Sequence, residues 1–222
     1  MRFVTWNIRL GIQCGIGPIA NTLRRLDADV VAIQEVGRHW VMGPQGDVTR
    51  DLARECGYNH RFFVPSISWY PPAQYGHALL SRHPIARSCV VRLPSLEDEQ
   101  RTYLDSSIEV ADGELRVIST HLSHVADRPA QGEELVRLLR TLDTDRIVLM
   151  GDLNEANAST GWLAELADIA SPAPADGPTF PADDPRHRID WIFSNFGNWV
   201  DSETPDTGEQ SDHLPVVADL DF

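Results

Sequence analysis

Ser211-Asp212-His213-Leu214-Pro215 stands directly before the last apolar run of the chain, Val216-Val217-Ala218-Asp219-Leu220. Earlier in the sequence the order is the reverse, with polar groups closing the runs. Phe3-Val4-Thr5-Trp6 ends in Asn7, Val30-Val31-Ala32-Ile33-Gln34 in Glu35, Leu115-Arg116-Val117-Ile118-Ser119-Thr120 in His121, and Ile147-Val148-Leu149-Met150-Gly151 in Asp152. Each run has the length and β-branched content of a strand. Asp190 again precedes its run, Trp191-Ile192-Phe193. If the late strands run antiparallel to the early ones, these starts and ends meet at one edge. The expected rim holds Asn7, Glu35, His121, Asp152, Asn154, Asp190, Asp212 and His213.

Four carboxylates and two imidazoles in one pocket repel or protonate unless something positive sits among them. A divalent cation answers this most simply. The available ligands are carboxylate and amide oxygens with no cysteine nearby, which suits one or two Mg2+ or Mn2+ ions better than zinc. The two histidines remain for acid/base or charge-stabilising work, and the combination points to hydrolysis of a phosphate ester.

A chain of 222 residues, 42% of them hydrophobic, is long enough for a sizeable core, and no composition break divides it. A single domain spanning 1–222 is expected. Met1-Arg2 leads straight into a strand pattern, and no apolar run approaches membrane-spanning length, so a cytoplasmic protein without membrane contact is expected. Cys14, Cys56 and Cys89 are widely spaced and read as reduced thiols. The 33 acidic against 19 basic residues give a formal charge of −14, which disfavours extended nucleic-acid binding. A local basic strip would have to come from Arg24, Arg25, Arg82, Arg87, Arg101, Arg186 and Arg188.

Trp6-Asn7, Gln34-Glu35, Leu79-Leu80-Ser81-Arg82, Thr120-His121-Leu122, Gly151-Asp152-Leu153-Asn154, Arg188-Ile189-Asp190-Trp191-Ile192 and Ser211-Asp212-His213-Leu214-Pro215 together resemble the endonuclease/exonuclease/phosphatase superfamily, in that family's order and over nearly the whole chain. The resemblance implies a four-layer α/β/β/α sandwich, an α/β (α+β) fold of two mainly antiparallel sheets packed face to face with helices outside. It also implies metal-dependent phosphoester chemistry. On that basis Glu35 is the principal metal ligand, with Asp212 and Asn7 beside it and Asp152 in reach of a second ion. Asp152 orients or deprotonates the attacking water, and Asn154 helps to hold the scissile phosphate. Asp190 accepts a hydrogen bond from His213, which stabilises the pentacoordinate phosphate or delivers a proton, while His121 contacts the phosphate from the opposite side. Arg101 matches an arginine that touches phosphate in relatives; a solvated arginine after Glu97-Asp98-Glu99 is the alternative. Relatives often carry an asparagine where His77 stands.

The remaining organisation reads as helices over 18–26, 47–56, from Pro129 through the Leu135, Leu138, Leu139, Leu142 stripe, and 160–166. Gly76–Ser81 reads as a strand, and 103–110 and 115–120 as a hairpin turning at Asp112-Gly113. The proline- and aromatic-rich stretch 62–75 reads as a loop near the rim, and 171–185 as a proline-rich loop. Trp69, Tyr70 and Tyr75 read either as an aromatic wall for a base or lipid, or as loop packing. His39, His60, His77, His83, His124 and His187 are expected at surface or loop positions, with pocket lining as the alternative for His124 and His187, which stand close to motif residues.

A phosphodiesterase or phosphomonoesterase acting on a small or exposed substrate leads the functional readings. A nuclease, on abasic or unspecific DNA, is the runner-up and requires a coherent arginine surface. A sphingomyelinase-like activity ranks third, and a catalytically inactive binding module is the reading of a different class. A monomer with no obligate protein partner is expected.

Overall fold

The strand runs are apolar on both sides because alternate residues face two different layers. In β1 (Arg2–Asn7), Phe3 packs between two sheets while Val4 and Trp6 pack under helices. In β8 (Ile147–Asp152), Val148 and Met150 face the sheet–sheet core, and Ile147 and Leu149 face the opposite helices. The computed structural model describes residues 1–142, 145–175 and 177–222.

Besides these two strands it contains β2 (Val30–Arg38), β3 (His60–Ser68), β4 (Gln74–Ser81), β5 (Ile85–Arg92), β6 (Thr102–Val110), β7 (Gly113–His121), β9 (Ser171–Pro172), β10 (Asp190–Ser194), β11 (Asn198–Glu203) and β12 (Val216–Asp221). The helices are α1 (Ile16–Leu26), α2 (Val48–Cys56), α3 (Arg128–Thr141) and α4 (Gly161–Ile169). One six-stranded sheet has the order β11-β12-β1-β2-β4-β3 and the other β5-β6-β7-β8-β10-β9. Pairing is antiparallel except for β1 with β2 and β7 with β8. The expected sandwich of two sheets with helices outside is the fold.

Three apolar clusters hold the layers together. The first lies between the sheets, around Phe3, Leu79, Leu104, Val148 and Ile192; the second joins Trp6, Ile33 and Leu80 to α1 and α2 through Ile19, Leu23 and Leu52. The third joins Ile118, Leu149 and Phe193 to α3 and α4 through Leu135, Leu139, Leu163 and Leu166. Each such side chain contributes roughly 1.5–3 kcal/mol by leaving water. α2 starts where Asp47 accepts the Arg50 backbone N–H at 2.9 Å, a cap of the expected chemistry. α3 and α4 approach closely at Gly132, where an added Cβ would lie 2.1 Å from the Trp162 ring.

Several expectations are corrected. The stretch 62–75 is mostly strand: β3 pairs antiparallel with β4, and only the residues between Ser68 and Gln74 are irregular. Pro65 is tolerated there because β3 is an edge strand with a register shift between Pro65 and Ile67. β5 and β11 were not read from the sequence, because both are largely exposed edge strands without apolar alternation. The hairpin turn is one residue earlier than expected, since Gly113 pairs with Val110 and Ala111-Asp112 form the turn. The loop expected over 171–185 begins with the short β9 paired to β10, and Asp176 lies outside the described residues. His77 is not at the surface: it alternates with Leu79 on β4, so both face the sheet–sheet interior, and it is 1% exposed. The cysteines are free, and no helix among the described residues is long and apolar enough to cross a membrane.

Candidate active site

Strand register builds half of the site directly. His121 lies opposite Asp152 in the parallel β7–β8 pair, and Asp190 lies opposite Asp152 in the antiparallel β8–β10 pair. All three continue the inward-facing positions of their strands, two residues beyond Ser119 and Met150 and two before Ile192. Gly151 lets this edge close, because a Cβ there would lie 2.1 Å from the Thr120 carbonyl oxygen.

The opposite wall comes from the other sheet. Asn7 faces inward at the end of β1, following Phe3 and Thr5. Glu35 does not end its strand as expected, for β2 continues to Arg38. By strict alternation Glu35 would face the helices with Val31 and Ile33. Instead, the register of β2 against β4 shifts between Ile33 and Val36, and Glu35 adopts φ +53°. A bulge with a left-handed residue that is not glycine costs on the order of 1–3 kcal/mol and re-aims its side chain. Here it aims the Glu35 carboxylate at Asn7, whose Nδ2 donates to Glu35 Oε1 at 3.2 Å and to Asp152 Oδ2 at 3.0 Å. The Asn7 oxygen accepts the Arg9 backbone N–H at 3.0 Å, so the amide presents its nitrogen to the two acids.

The segment 211–214 closes the site from the bend before β12. Ser211 Oγ donates to Asn7 O at 2.7 Å, Trp6 Nε1 donates to His213 O at 2.9 Å, and Leu214 N donates to Thr179 O at 2.8 Å. His213 Nδ1 is 2.9 Å from Asp190 Oδ2, as the sequence reading expected. Its Nε2 is 3.8 Å from Asp152 Oδ2, and the Phe180 ring lies over it with centroids 4.9 Å apart. Asp212 pairs with Arg9, whose Nε lies 3.3 Å from Oδ2. Asn154, at φ +52°, donates its backbone N–H to Asp152 Oδ1 at 3.0 Å and its amide N–H to Leu122 O at 3.0 Å.

The two histidines are electrostatically opposite. Burial alone would lower His213, but Asp190 and then Asp152 outweigh it, aided by the Asp190 hydrogen bond and Asp212, and raise it to about 10. His121 is held well below its usual value by burial and by the Arg101 guanidinium. Burial and the neighbouring Asp190 raise Asp152 to about 7, against the pull of His213 and Asn7. Glu35 is raised by burial, opposed by the Asn7 hydrogen bond and reinforced by Asp212. His121 Nε2 lies 3.4 Å from the same Asp152 Oδ2.

Arg101 is buried, so the solvated alternative fails: it pairs with Glu99 and approaches His121 Nδ1 at 2.9 Å. The other arginines do not form a strip. Arg24 and Arg25 bond within α1 and to Glu55, and Arg82, Arg87 and Arg186 pair with Asp27, Glu114 and Asp184. Arg188 lies over the Trp191 ring and donates to Ala173 O at 2.7 Å.

Among the described residues, Asp152, Asp190 and His213 place ligating atoms within 4.8 Å of one another. Within that group the hydrogen bond joins only His213 Nδ1 and Asp190 Oδ2. Glu35 and Asp152 share a single Asn7 amide and are both raised in pKa, Glu35 in part by Asp212; Asp190 Oδ1 is buried with no hydrogen-bond partner. An oxygen donor set of this kind fits a hard divalent cation. Trp40 and Phe180 were missed, whereas Tyr75 was read as a candidate aromatic wall. Trp40 packs against Trp69 and Tyr75 with tilted rings at centroid distances of 6.2 and 5.7 Å, and Tyr75 shares the inward face with His77 by the two-residue period.

The sequence matches the model of the Endonuclease/Exonuclease/phosphatase family over residues 4–213. An endonuclease/exonuclease/phosphatase structure from Beutenbergia cavernae is 28% identical with a TM-score of 0.82, covering 99% of this chain and 71% of that one. A mannosyl-6-phosphatase from Bacteroides thetaiotaomicron is 18% identical with a TM-score of 0.81, covering 100% of both chains as aligned. Sphingomyelinase C from Streptomyces griseocarneus is 17% identical with a TM-score of 0.71, covering 100% of this chain and 99% of that one. No curated protein matches the chain.

Proposed function

Because the chain belongs to the endonuclease/exonuclease/phosphatase family, we propose that it is a metal-dependent phosphoric ester hydrolase, cleaving a small or exposed phosphodiester by in-line attack of water. The observation that carries the reading is the convergence of Asn7, His121 and His213 on Asp152 Oδ2, at 3.0, 3.4 and 3.8 Å, with one imidazole neutral and the other cationic.

Glu35 and Asp212, with Asp152 in reach, would hold a Mg2+ or Mn2+ ion, which when bound polarises the phosphoryl oxygens and offsets the charge developing on them; Asn7, expected as a ligand, turns its amide nitrogen to Glu35 and Asp152 and orients them instead. Asp152 orients the attacking water and takes its proton, a task suited to a carboxylate made more basic by burial and by Asp190. His213, held cationic by Asp190, donates from Nε2 to a phosphoryl oxygen and stabilises the pentacoordinate arrangement. His121 offers a neutral donor from the neighbouring strand, and Asn154 lines the same edge. The formal charge of −14 and the local pairing of the arginines favour a small substrate over a long duplex.

Turnover of bis-p-nitrophenyl phosphate, p-nitrophenyl phosphate and a nicked or abasic duplex, with and without Mg2+ or Mn2+ and with Glu35→Ala as blank, tests the reading. Metal-dependent cleavage of the small esters supports it. Cleavage of DNA alone moves the assignment to a nuclease, and absence of any metal-dependent turnover returns the protein to the binding-module class.

A further inference from the structure

Arg101 sits just before β6 and is 4% exposed. One terminal nitrogen, Nη2, pairs with Glu99; the other, Nη1, lies 2.9 Å from His121 Nδ1. A guanidinium has only donors. The contact therefore requires a lone pair on His121 Nδ1, which leaves the single ring proton of the neutral imidazole on Nε2. That nitrogen is the one facing Asp152 on the rim, at 3.4 Å. With the ring 5% exposed, water does not compete for Nδ1.

The segment carrying Arg101 is itself held in place. Asp127 Oδ2 accepts the backbone N–H groups of Leu96, Glu97 and Asp98 at 3.0, 3.2 and 3.1 Å. The Ser123 hydroxyl donates to Asp98, and Gln131 Nε2 donates to Pro94 O at 2.9 Å. Gln100 Nε2 donates to Leu93 O at 2.8 Å and Arg101 O at 2.7 Å. Ser123, Asp127 and Gln131 all follow His121 closely in the chain, so one stretch anchors both the histidine and the loop that brings the arginine to it.

We propose that Arg101 is a positioning residue that acts through His121: its donor-only guanidinium, oriented by Glu99, fixes the imidazole as the Nε2–H tautomer and so turns His121 into a permanent hydrogen-bond donor toward the rim. The kinetic consequence rests on the reading of the rim as catalytic; the tautomer does not. Arg101 then contributes without touching the phosphate, in contrast to the substrate contact that the resemblance implies.

Imidazole 15N–1H spectra of the substrate-free protein test the tautomer. His121 is expected to show a protonated Nε2 and a bare Nδ1, in the wild type and in Arg101→Lys, whose ammonium is also donor-only. Arg101→Met should release the ring to a mixture or to the Nδ1–H form. In turnover, Arg101→Met should lower kcat by about 10²-fold with little change in KM, the size of one lost preorganised donor. In a His121→Gln background the same change should cost no more than about twofold further, because a residue acting only through His121 has nothing left to position. Wild-type spectra with the proton on Nδ1 overturn the proposal. So does an equal kcat loss on both backgrounds, which assigns Arg101 to the phosphate directly. If Arg101→Met does not fold, the wild-type and Arg101→Lys spectra decide alone, and a protein without any turnover but with the Nε2–H tautomer refutes the hydrolase reading and leaves this one standing.

Discussion

Asp190→Asn removes one negative charge while leaving an acceptor oxygen near His213 Nδ1, now 2.9 Å from the carboxylate. The folded protein raises His213 from 6.5 to about 10. At about 1.4 kcal/mol per unit, the imidazolium is favoured on the order of 5 kcal/mol over its unfolded reference. Burial works against that figure; Asp190 is the largest of the contributions that overcome it, through both its charge and its hydrogen bond. With Asp190 neutral, only Asp152 and Asp212 oppose the burial cost and the pKa of His213 falls. Two readouts follow. In turnover of a p-nitrophenyl ester near pH 8, kcat should drop by about 10²- to 10⁴-fold, the usual reach of a positioned acid–base group, and the alkaline limb of the pH profile should move down from near 10. In stability, a raised histidine pKa contributes fully below about pH 6.5 and is lost as pH rises through about 10. The stability difference between wild type and Asp190→Asn, from urea midpoints, should therefore be large near neutrality and shrink above pH 10. A variant with wild-type kcat and an unmoved alkaline limb refutes the assignment of His213 as the cationic donor.

Mg2+ or Mn2+ should raise the thermal midpoint of the wild type in a concentration-dependent way but not that of Glu35→Gln, since only binding to the folded state stabilises it; equal shifts in both proteins remove Glu35 from the metal site. Gly151→Ala should destabilise by about 1–3 kcal/mol or more and abolish turnover, because its Cβ would lie 2.1 Å from the Thr120 carbonyl oxygen and push β8 from β7 at the Asp152 end. Gly132→Ala should cost a similar amount in urea denaturation, its Cβ lying 2.1 Å from the Trp162 ring. Retained midpoints in either glycine variant would show that the layers yield more readily than the packing implies.

The sequence by itself determined which residues end or begin the central strands, and with that most of the site. Two-residue alternation follows from local backbone geometry, so Asn7, His121, Asp152 and Asp190 inherit the inward face of Phe3, Val117, Met150 and Ile192 without reference to anything distant. The same rule would have found His77 and Tyr75 on the inward face of β4 beside Leu79. β5 and β11 were illegible because an edge strand solvated on its faces carries no apolar period.

Tertiary structure alone decided the rest. Alternation sends Glu35 to the helix side; the bulge against β4, at a left-handed φ of +53°, brings it into the cleft, and no local preference of Gln34-Glu35-Val36 announces it. Arg101 follows an acidic stretch and reads either as a phosphate contact or as a solvated arginine, but the loop anchored by Asp127 and Gln131 buries it against His121. The opposite charge states of His121 and His213 likewise depend on which ion lies beside each ring, Arg101 for one and Asp190 and Asp152 for the other. Charge interactions act through space across strands far apart in sequence, and their strength depends on burial that exists only once the two sheets have closed.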